Sequence, residues 1–427
     1  MAQSKWLKGS IAAGLAIALA GCSGGGAATK NVDNETPVTV SIFMTQGMTD
    51  SEWQELVIDP LKKKYPYITL EKNALKTIEE VVASGNIPDL ITIWNGQFMP
   101  YKDLGLVTDI TPYLKSNNVN LNRFTPLTLD AMYLIGDKPS ELYGLPYFTQ
   151  FNALYYNKDL FDRFGTSYPK DGMTWDDAIE VAKKVSRVEG GVQYRGLDYE
   201  NVQRIAFPLS INYIDHKTQK ANVNSDSWRL AFETAKKIVT IPNNMPKTLN
   251  AGSSNEFFQD RTLAMFGATN LVASLKEHME KGMNPGIAQY PSYKEKPNTY
   301  GLADSHYMLI TKQSKYKEAA AKVLQVLTSE EIQMIAVSKY GRLSPLKDSK
   351  FKEKFGSEMP HLSGFNLQSI FKSKPAPSEI FPALYNKANP IVAAEYIKYA
   401  KGEQDLNTAL RAAEEKINAA IAEAKGK

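Results

Sequence analysis

Asp89-Leu90-Ile91-Thr92-Ile93-Trp94 is an apolar, β-branched run that ends on an aromatic ring, and it reads as a β-strand. Upstream, Val38-Thr39-Val40-Ser41-Ile42-Phe43-Met44 and Ile68-Thr69-Leu70 have the same character. Between them Trp53, Leu56, Val57, Leu61 and Tyr65 recur at helical spacing, with Pro60 as a kink or break, and Ile78 to Ser84 forms a further helix. Strands that alternate with helices predict an α/β fold built on a parallel sheet. Ligands of open α/β sheets sit beyond the carboxyl ends of the strands. The segments that follow Met44 and Trp94, with Gln46, Asn95 and Gln97, therefore become the first candidates for a site.

Downstream the helix starts are well marked. Asn157 caps a helix through Asp159-Leu160-Phe161 that Gly165 stops, and Thr174 with Asp177 forms a capping box ahead of a helix reaching Val185. A helix through Trp228, Ala231, Ala235 and Ile238 precedes a buried strand, Thr262 to Gly267. Ala319, Ala320, Val323, Leu324 and Leu327 share one helical face, and Thr328 with Glu331 starts another helix. The tail stripe Leu406, Leu410, Ala413, Ile417 and Ile421 reads as a docking helix rather than a coiled coil, being short. Lys62-Lys63-Lys64 reads as a solvated helix end.

The amino terminus has a different composition. Lys5 and Lys8 precede an apolar run from Ile11 to Ala20, closed by Leu19-Ala20-Gly21-Cys22, which resembles a bacterial lipobox. That resemblance implies a signal at residues 1–21, cleavage before Cys22, the only cysteine, and lipid attachment there. The run is about half of the roughly 20 apolar residues a membrane span needs. Residues 22–36 are small and polar and read as a flexible tether. Without residues 1–21 the chain carries 48 basic and 46 acidic side chains, a balance that argues against nucleic acid as the main partner.

No enzyme signature is present: no phosphate loop, no Gly-x-Ser-x-Gly elbow and no clustered metal ligands. The acidic pairs Glu79-Glu80, Asp176-Asp177 and Glu330-Glu331 do not face one another on a helix, and the last two are helix-start residues. No catalytic residue, metal or cofactor is expected. Aromatic rings are the better lead, since a flat apolar face can stack on a sugar while amides read its hydroxyls. Most such rings belong to cores, Tyr143, Tyr147, Phe148 and Phe151 among the rings at issue; Trp94, at a strand end, stands apart.

Ile87-Pro88-Asp89 to Trp94, Leu106 to Pro112, Tyr143-Gly144-Leu145-Pro146, Leu154-Tyr155-Tyr156-Asn157-Lys158-Asp159-Leu160-Phe161, Thr174-Trp175-Asp176-Asp177, Leu263 to Gly267 and Gly341-Arg342-Leu343-Ser344-Pro345 follow in an order that resembles the solute-binding proteins of carbohydrate ABC importers. The resemblance implies a two-lobed periplasmic-binding-protein-like fold of type II, hinged, with ligand in the cleft between the lobes. It divides the chain into residues 37–148 with 301–348, and 149–300 with 349–427, with crossings near Phe148 to Phe151, Gly301 to Ser305 and Pro345 to Phe351. By position it makes Gln46, Trp94, Asn95, Gln97, Phe148, Gln150, Tyr199, Asn270, His306, Tyr307 and Arg342 candidates for ligand contact. Gln150 stands where maltose-binding protein has a glutamate, which puts maltose in doubt. Arg342 in the cleft would favour an acidic sugar such as a uronate. Tyr155, Tyr156, Lys158 and Trp175 are explained as scaffold.

These features together point to a non-enzymatic, lipid-anchored monomer on the outer side of the cytoplasmic membrane, passing a sugar or short oligosaccharide to ABC permease subunits. A surface glycoside hydrolase or lyase and a peptide- or polyamine-binding protein are the alternatives.

Overall fold

The computed structural model describes residues 36–426. The signal, Cys22 and all of the tether before Thr36 lie outside the described residues.

Two five-stranded sheets organise the chain. The first runs in the order Ile68–Lys72, Val38–Met44, Leu90–Trp94, Ser305–Ile310, Leu145–Thr149. Its first three strands are parallel, with Val38 opposite Ile68 and Ile42 opposite Leu90. Leu90, Ile91 and Ile93 are fully buried, as expected for a strand covered on both faces. Asp89 staples this sheet: one carboxylate oxygen accepts from the Ser41 amide and hydroxyl, both at 2.9 Å, and the other from Ser314 at 2.6 Å. The second sheet runs Pro285–Gln289, Asn152–Asn157, Leu263–Thr269, Val192–Asp198, Arg187–Glu189.

Neither sheet is purely parallel, which corrects the expectation from strand–helix alternation. Ser305–Ile310 is antiparallel to both neighbours, and Asn152–Asn157 likewise. The reason lies in the path. The chain leaves the first sheet after Thr149 and enters the second at Asn152; it returns at Ser305. Both crossings lie at the end where the parallel strands finish, since Ser305 pairs with Thr149, His306 faces Trp94, and Asn152 faces Thr269. A strand entering from that end must run against the others.

The helices follow their sequence signals with two differences. Pro60 neither breaks nor ends its helix: Asp50–Trp53 runs through a wide turn, Gln54–Ile58, into Asp59–Lys64, so the missing proline N–H falls in the first turn after the wide one. The helix Glu330–Tyr340 is capped by Ser329 rather than Thr328, whose hydroxyl instead donates to the Leu324 carbonyl at 2.8 Å. The tail helix Leu406–Lys425 docks on Tyr385–Lys401, burying Leu410, Ala413, Ile417 and Ile421. Its Lys416, with Lys398, pairs with the buried Glu395 carboxylate.

One buried charge cluster fixes the turn after strand Val192–Asp198. Arg195 donates to Asp198 at 2.7 Å, to Ser253 at 2.6 Å, to the Asn244 carbonyl at 2.9 Å, and to Glu256. The second Asp198 oxygen accepts the Glu200 amide at 2.8 Å, holding Glu200 in the left-handed region at φ 65°. A buried ion pair that loses one partner leaves uncompensated charge. Arg195→Met is expected to cost about 3–5 kcal/mol in urea unfolding, and a loss below about 1 kcal/mol would contradict this role.

Candidate functional site

A cavity of about 340 Å³ lies beyond the carboxyl ends of the parallel strands of both sheets, lined by Gln46, Trp94, Gln150, Gln203, Arg204, Phe207, Thr269, Asp304 and His306. That volume falls within the range of about 300–1,000 Å³ of small-molecule pockets. Gln46 and Trp94 come from the first sheet's strand ends, Thr269 from the second sheet's, and Gln150 and Asp304 from the two crossings. The crossings are bonded to each other, the Gln150 amide donating to the Asp304 carbonyl at 2.8 Å.

Trp94 owes its place to its neighbours. A Cβ on Gly96 would stand 2.0 Å from the indole ring, so only glycine lets the ring fold back over the turn Asn95–Gln97. The ring packs edge-on against Phe381 and Tyr385, with centroids 5.1 and 5.9 Å away. The Gln97 side-chain oxygen accepts from the Trp94 amide at 3.2 Å, Thr45 at 3.1 Å and Gln46 at 3.0 Å. Gln97 thus orients two lining residues without being one.

The structure brings four of the sequence candidates to the cavity wall: Gln46, Trp94, Gln150 and His306. It gives the others partners of their own. Asn95 is buried and donates to the Ala303 carbonyl at 3.0 Å and to Ser378 at 2.7 Å. Phe148 is buried beside Tyr147 and under the Arg342 guanidinium. Tyr199 is buried and bonded to Tyr396, and Tyr307 donates to the Thr128 carbonyl at 2.7 Å. Asn270 donates to the Gly341 carbonyl at 2.8 Å and receives the Val272 amide at 3.1 Å. Arg342 makes a two-pronged pair with Glu52 at 2.6 and 2.9 Å. Burial would raise the Glu52 carboxyl, but the Arg342 bonds and charge outweigh it and hold it below its ordinary value. With its fork engaged there, Arg342 gives no support to an acidic ligand.

Five lining residues escaped sequence reasoning. Gln203 and Arg204 lie on the short helix Val202–Ala206, and Phe207 follows it. Five residues carry no readable periodicity, although Asn201, whose side chain accepts the Arg204 amide at 3.1 Å, is a cap signal that could have found it. Thr269 ends a strand parallel to its neighbour, and the strand-end rule could have reached it. Asp304 sits in a crossing with no motif.

The electrostatics are unusual. The Gln150 side-chain nitrogen lies 3.0 Å from His306 Nε2, where a ring protonated on Nδ1 accepts from the amide N–H. Burial, reinforced by the Arg342 charge, pushes His306 down to about 3, so the ring is neutral. Burial pushes Asp304 up to about 6 against the opposing pull of Arg204. Asp304 Oδ1 is buried and has no hydrogen-bond partner among the described residues. Arg204 Nε lies 3.0 Å from Glu200 Oε2.

A fold with two mixed sheets, paired crossings and a polar cavity at the strand ends defines the class of two-lobed binding proteins. The chain belongs to the family of bacterial extracellular solute-binding proteins, which residues 46–334 match. It is 24% identical over 342 residues to a putative binding protein of Brucella abortus, covering 77% of this chain and 78% of that one. It is 25% identical over 319 residues to the sn-glycerol-3-phosphate-binding periplasmic protein of Rhizobium meliloti, covering 66% and 68%. An arabinooligosaccharide-binding protein of Bacillus subtilis is 25% identical over 192 residues, covering 41% and 40%. Among solved structures, the fold is similar to an ABC substrate-binding protein of Listeria monocytogenes in complex with cycloalternan, with a TM-score of 0.73, 18% identity, and 90% and 99% of the two chains covered. The sugar-binding protein MalE of Xanthomonas citri gives a TM-score of 0.72 at 20% identity, covering 91% and 98%.

The two shifted groups have opposite consequences for stability. Asp304 favours its proton in the fold, so its contribution is full below the unfolded value of 3.8 and is lost as pH rises through about 6. His306 favours its neutral form, so its contribution is full above 6.5 and is lost as pH falls towards 3. Asp304→Asn, which mimics the protonated acid, is expected to melt above wild type at pH 7.5 and level with it at pH 4. A lower melting temperature at pH 7.5 would contradict the assignment.

Proposed function

We propose that this chain is the substrate-binding lipoprotein of an ABC transporter, capturing a sugar or short oligosaccharide by hinge closure and handing it unchanged to a membrane permease. The observation that carries this reading is the cavity at the strand ends of both sheets, where Trp94 and Phe207 stand among Gln46, Gln150, Gln203 and Thr269. Rings offer an apolar face to a pyranose or furanose, and amides and hydroxyls both donate and accept, as sugar hydroxyls require. The sugar-bound proteins of the same fold, one with cycloalternan and one with maltotriose, support the ligand class.

In this reading the lobes are residues 37–148 with 301–348 and residues 149–300 with 349–427. Ligand that touches residues from both lobes favours the closed arrangement by its differential affinity. Of the residues proposed from sequence, Gln46, Trp94, Gln150 and His306 would touch ligand; Gln97 and Asn95 would hold the Trp94 loop. The protein acts as a monomer without enzymatic activity, held by lipid on Cys22 outside the cytoplasmic membrane.

A chain starting at residue 23, screened against neutral and acidic saccharides, is expected to gain about 2.7 kcal/mol of stability at 100 times the dissociation constant of its ligand. The saccharide should be recovered unaltered by chromatography; turnover, or stabilisation by peptides alone, would overturn the proposal. Trp94→Ala is expected to weaken the best saccharide at least tenfold, about 1.4 kcal/mol, in calorimetric titration. Unchanged affinity would remove Trp94 from the site.

A further inference from the structure

We infer that the chain carries a second binding site, separate from the strand-end cavity, for a small amphipathic anion: an apolar tail that ends in a carboxylate. The site goes beyond the sugar-binding reading and does not depend on it.

A cavity of about 310 Å³ lies against the crossings. It shares only Gln150 and Asp304 with the strand-end cavity, so the crossings form the wall between the two. Phe151 and Ser305 continue its lining along the same crossings. A third segment, Leu343 to Phe351, is tied to them where the Thr149 amide donates to the Leu343 carbonyl at 2.8 Å. Leu127 on the helix Pro126–Tyr133 adds to the lining, as does the strand Lys374–Ala376, which pairs with Thr299–Leu302. The volume is at the lower end of the range of about 300–1,000 Å³ for small-molecule pockets, which suits a compact ligand.

The surface is apolar with a cationic edge. Leu127, Leu343, Phe371 and Pro375 are half-buried and keep apolar surface open, and Phe151, Phe351 and Ile370 are buried in the wall. Phe355 braces two of these rings, with centroids 5.6 Å from Phe151 and 5.5 Å from Phe371. Three exposed lysines, Lys347, Lys352 and Lys374, also line the cavity, and Lys352 Nζ lies 6.0 Å from the centroid of the Phe371 ring. None of the three has an acid partner among the described residues. Their neighbours in the chain do: Lys350 pairs with Glu330 at 2.6 Å and Asp348 at 3.3 Å, and Lys372 with Asp171 at 2.6 Å. The one acid in the lining, Asp304, sets a single negative charge against three positive ones, and burial works against that charge. An apolar tail laid on the rings and aliphatic groups leaves water, which favours binding in proportion to the area covered. A carboxylate head at exposed lysines stays in contact with solvent and gains charge-assisted hydrogen bonds. A neutral molecule with the same tail lacks the second gain, and a bare carboxylate lacks the first.

The test is calorimetric titration at pH 7.5 and low salt with three probes: octanoate, its neutral counterpart octanamide, and acetate. One equivalent of octanoate is expected to bind with a dissociation constant of about 1 mM or below, and octanamide and acetate at least about tenfold more weakly. Lys352→Gln combined with Lys374→Gln is expected to weaken octanoate about tenfold and to leave octanamide unchanged. Leu127→Trp, which fills the cavity, is expected to weaken both. Melting temperatures of the variants, measured alongside, separate loss of the site from loss of the fold, and the lysine variant changes only exposed side chains. A saccharide that saturates the strand-end cavity is expected to leave octanoate bound. Octanoate that does not saturate, octanamide that binds as tightly, octanoate affinity unchanged in either variant, or octanoate displaced by the saccharide would each overturn the second site. All four results would leave the sugar reading standing, since that reading is tested by saccharide affinity alone.

Discussion

The constraint on which the structure depends is that two crossings between the sheets run side by side. The Gln150 amide donates to the Asp304 carbonyl at 2.8 Å, and the strands that flank them, Leu145–Thr149 and Ser305–Ile310, are paired in the first sheet. This arrangement explains why both sheets are mixed, because a chain that returns at the carboxyl end of parallel strands must run against them. It also puts the side chains of the crossing segments at the strand ends, where an α/β sheet binds its ligands. Scaffold and site are therefore joined at the same few residues.

Much of the fold was legible because its signals are local. Thr174 and Asn157 cap the helices they were expected to cap or open, and the buried run Leu90–Trp94 is a central strand. Sheet direction was not legible, since strand–helix alternation says nothing of a strand that arrives from another sheet. Of the two readings of Pro60, the break is not found: the helix runs on, with a wide turn just ahead of the proline.

The site was half legible. Positions next to strand ends, Gln46 and Trp94, reach the cavity, whereas Arg342 and Tyr199, candidates by position in the resemblance, are occupied elsewhere. A long polar side chain can be claimed by any partner the fold brings near, and Glu52 lies 290 residues from Arg342 in the chain. No local pattern predicts such a pair. Asp304 was passed over for the opposite reason, as a single acid without a motif. Its burial and its unpaired oxygen exist only once the crossings are assembled.

The charge economy of the cavity follows from these placements. Burial keeps His306 neutral and makes the Asp304 charge costly. What remains for a ligand is a set of amides and two rings, a surface suited to hydroxyl groups. The most direct measurement is a crystal structure of the chain with the saccharide that stabilises it most. The account predicts a sugar ring against Trp94, with hydroxyls on Gln46, Gln150 or Gln203. A saccharide bound outside this cavity, or one whose nearest charged contact is Arg342, would contradict it.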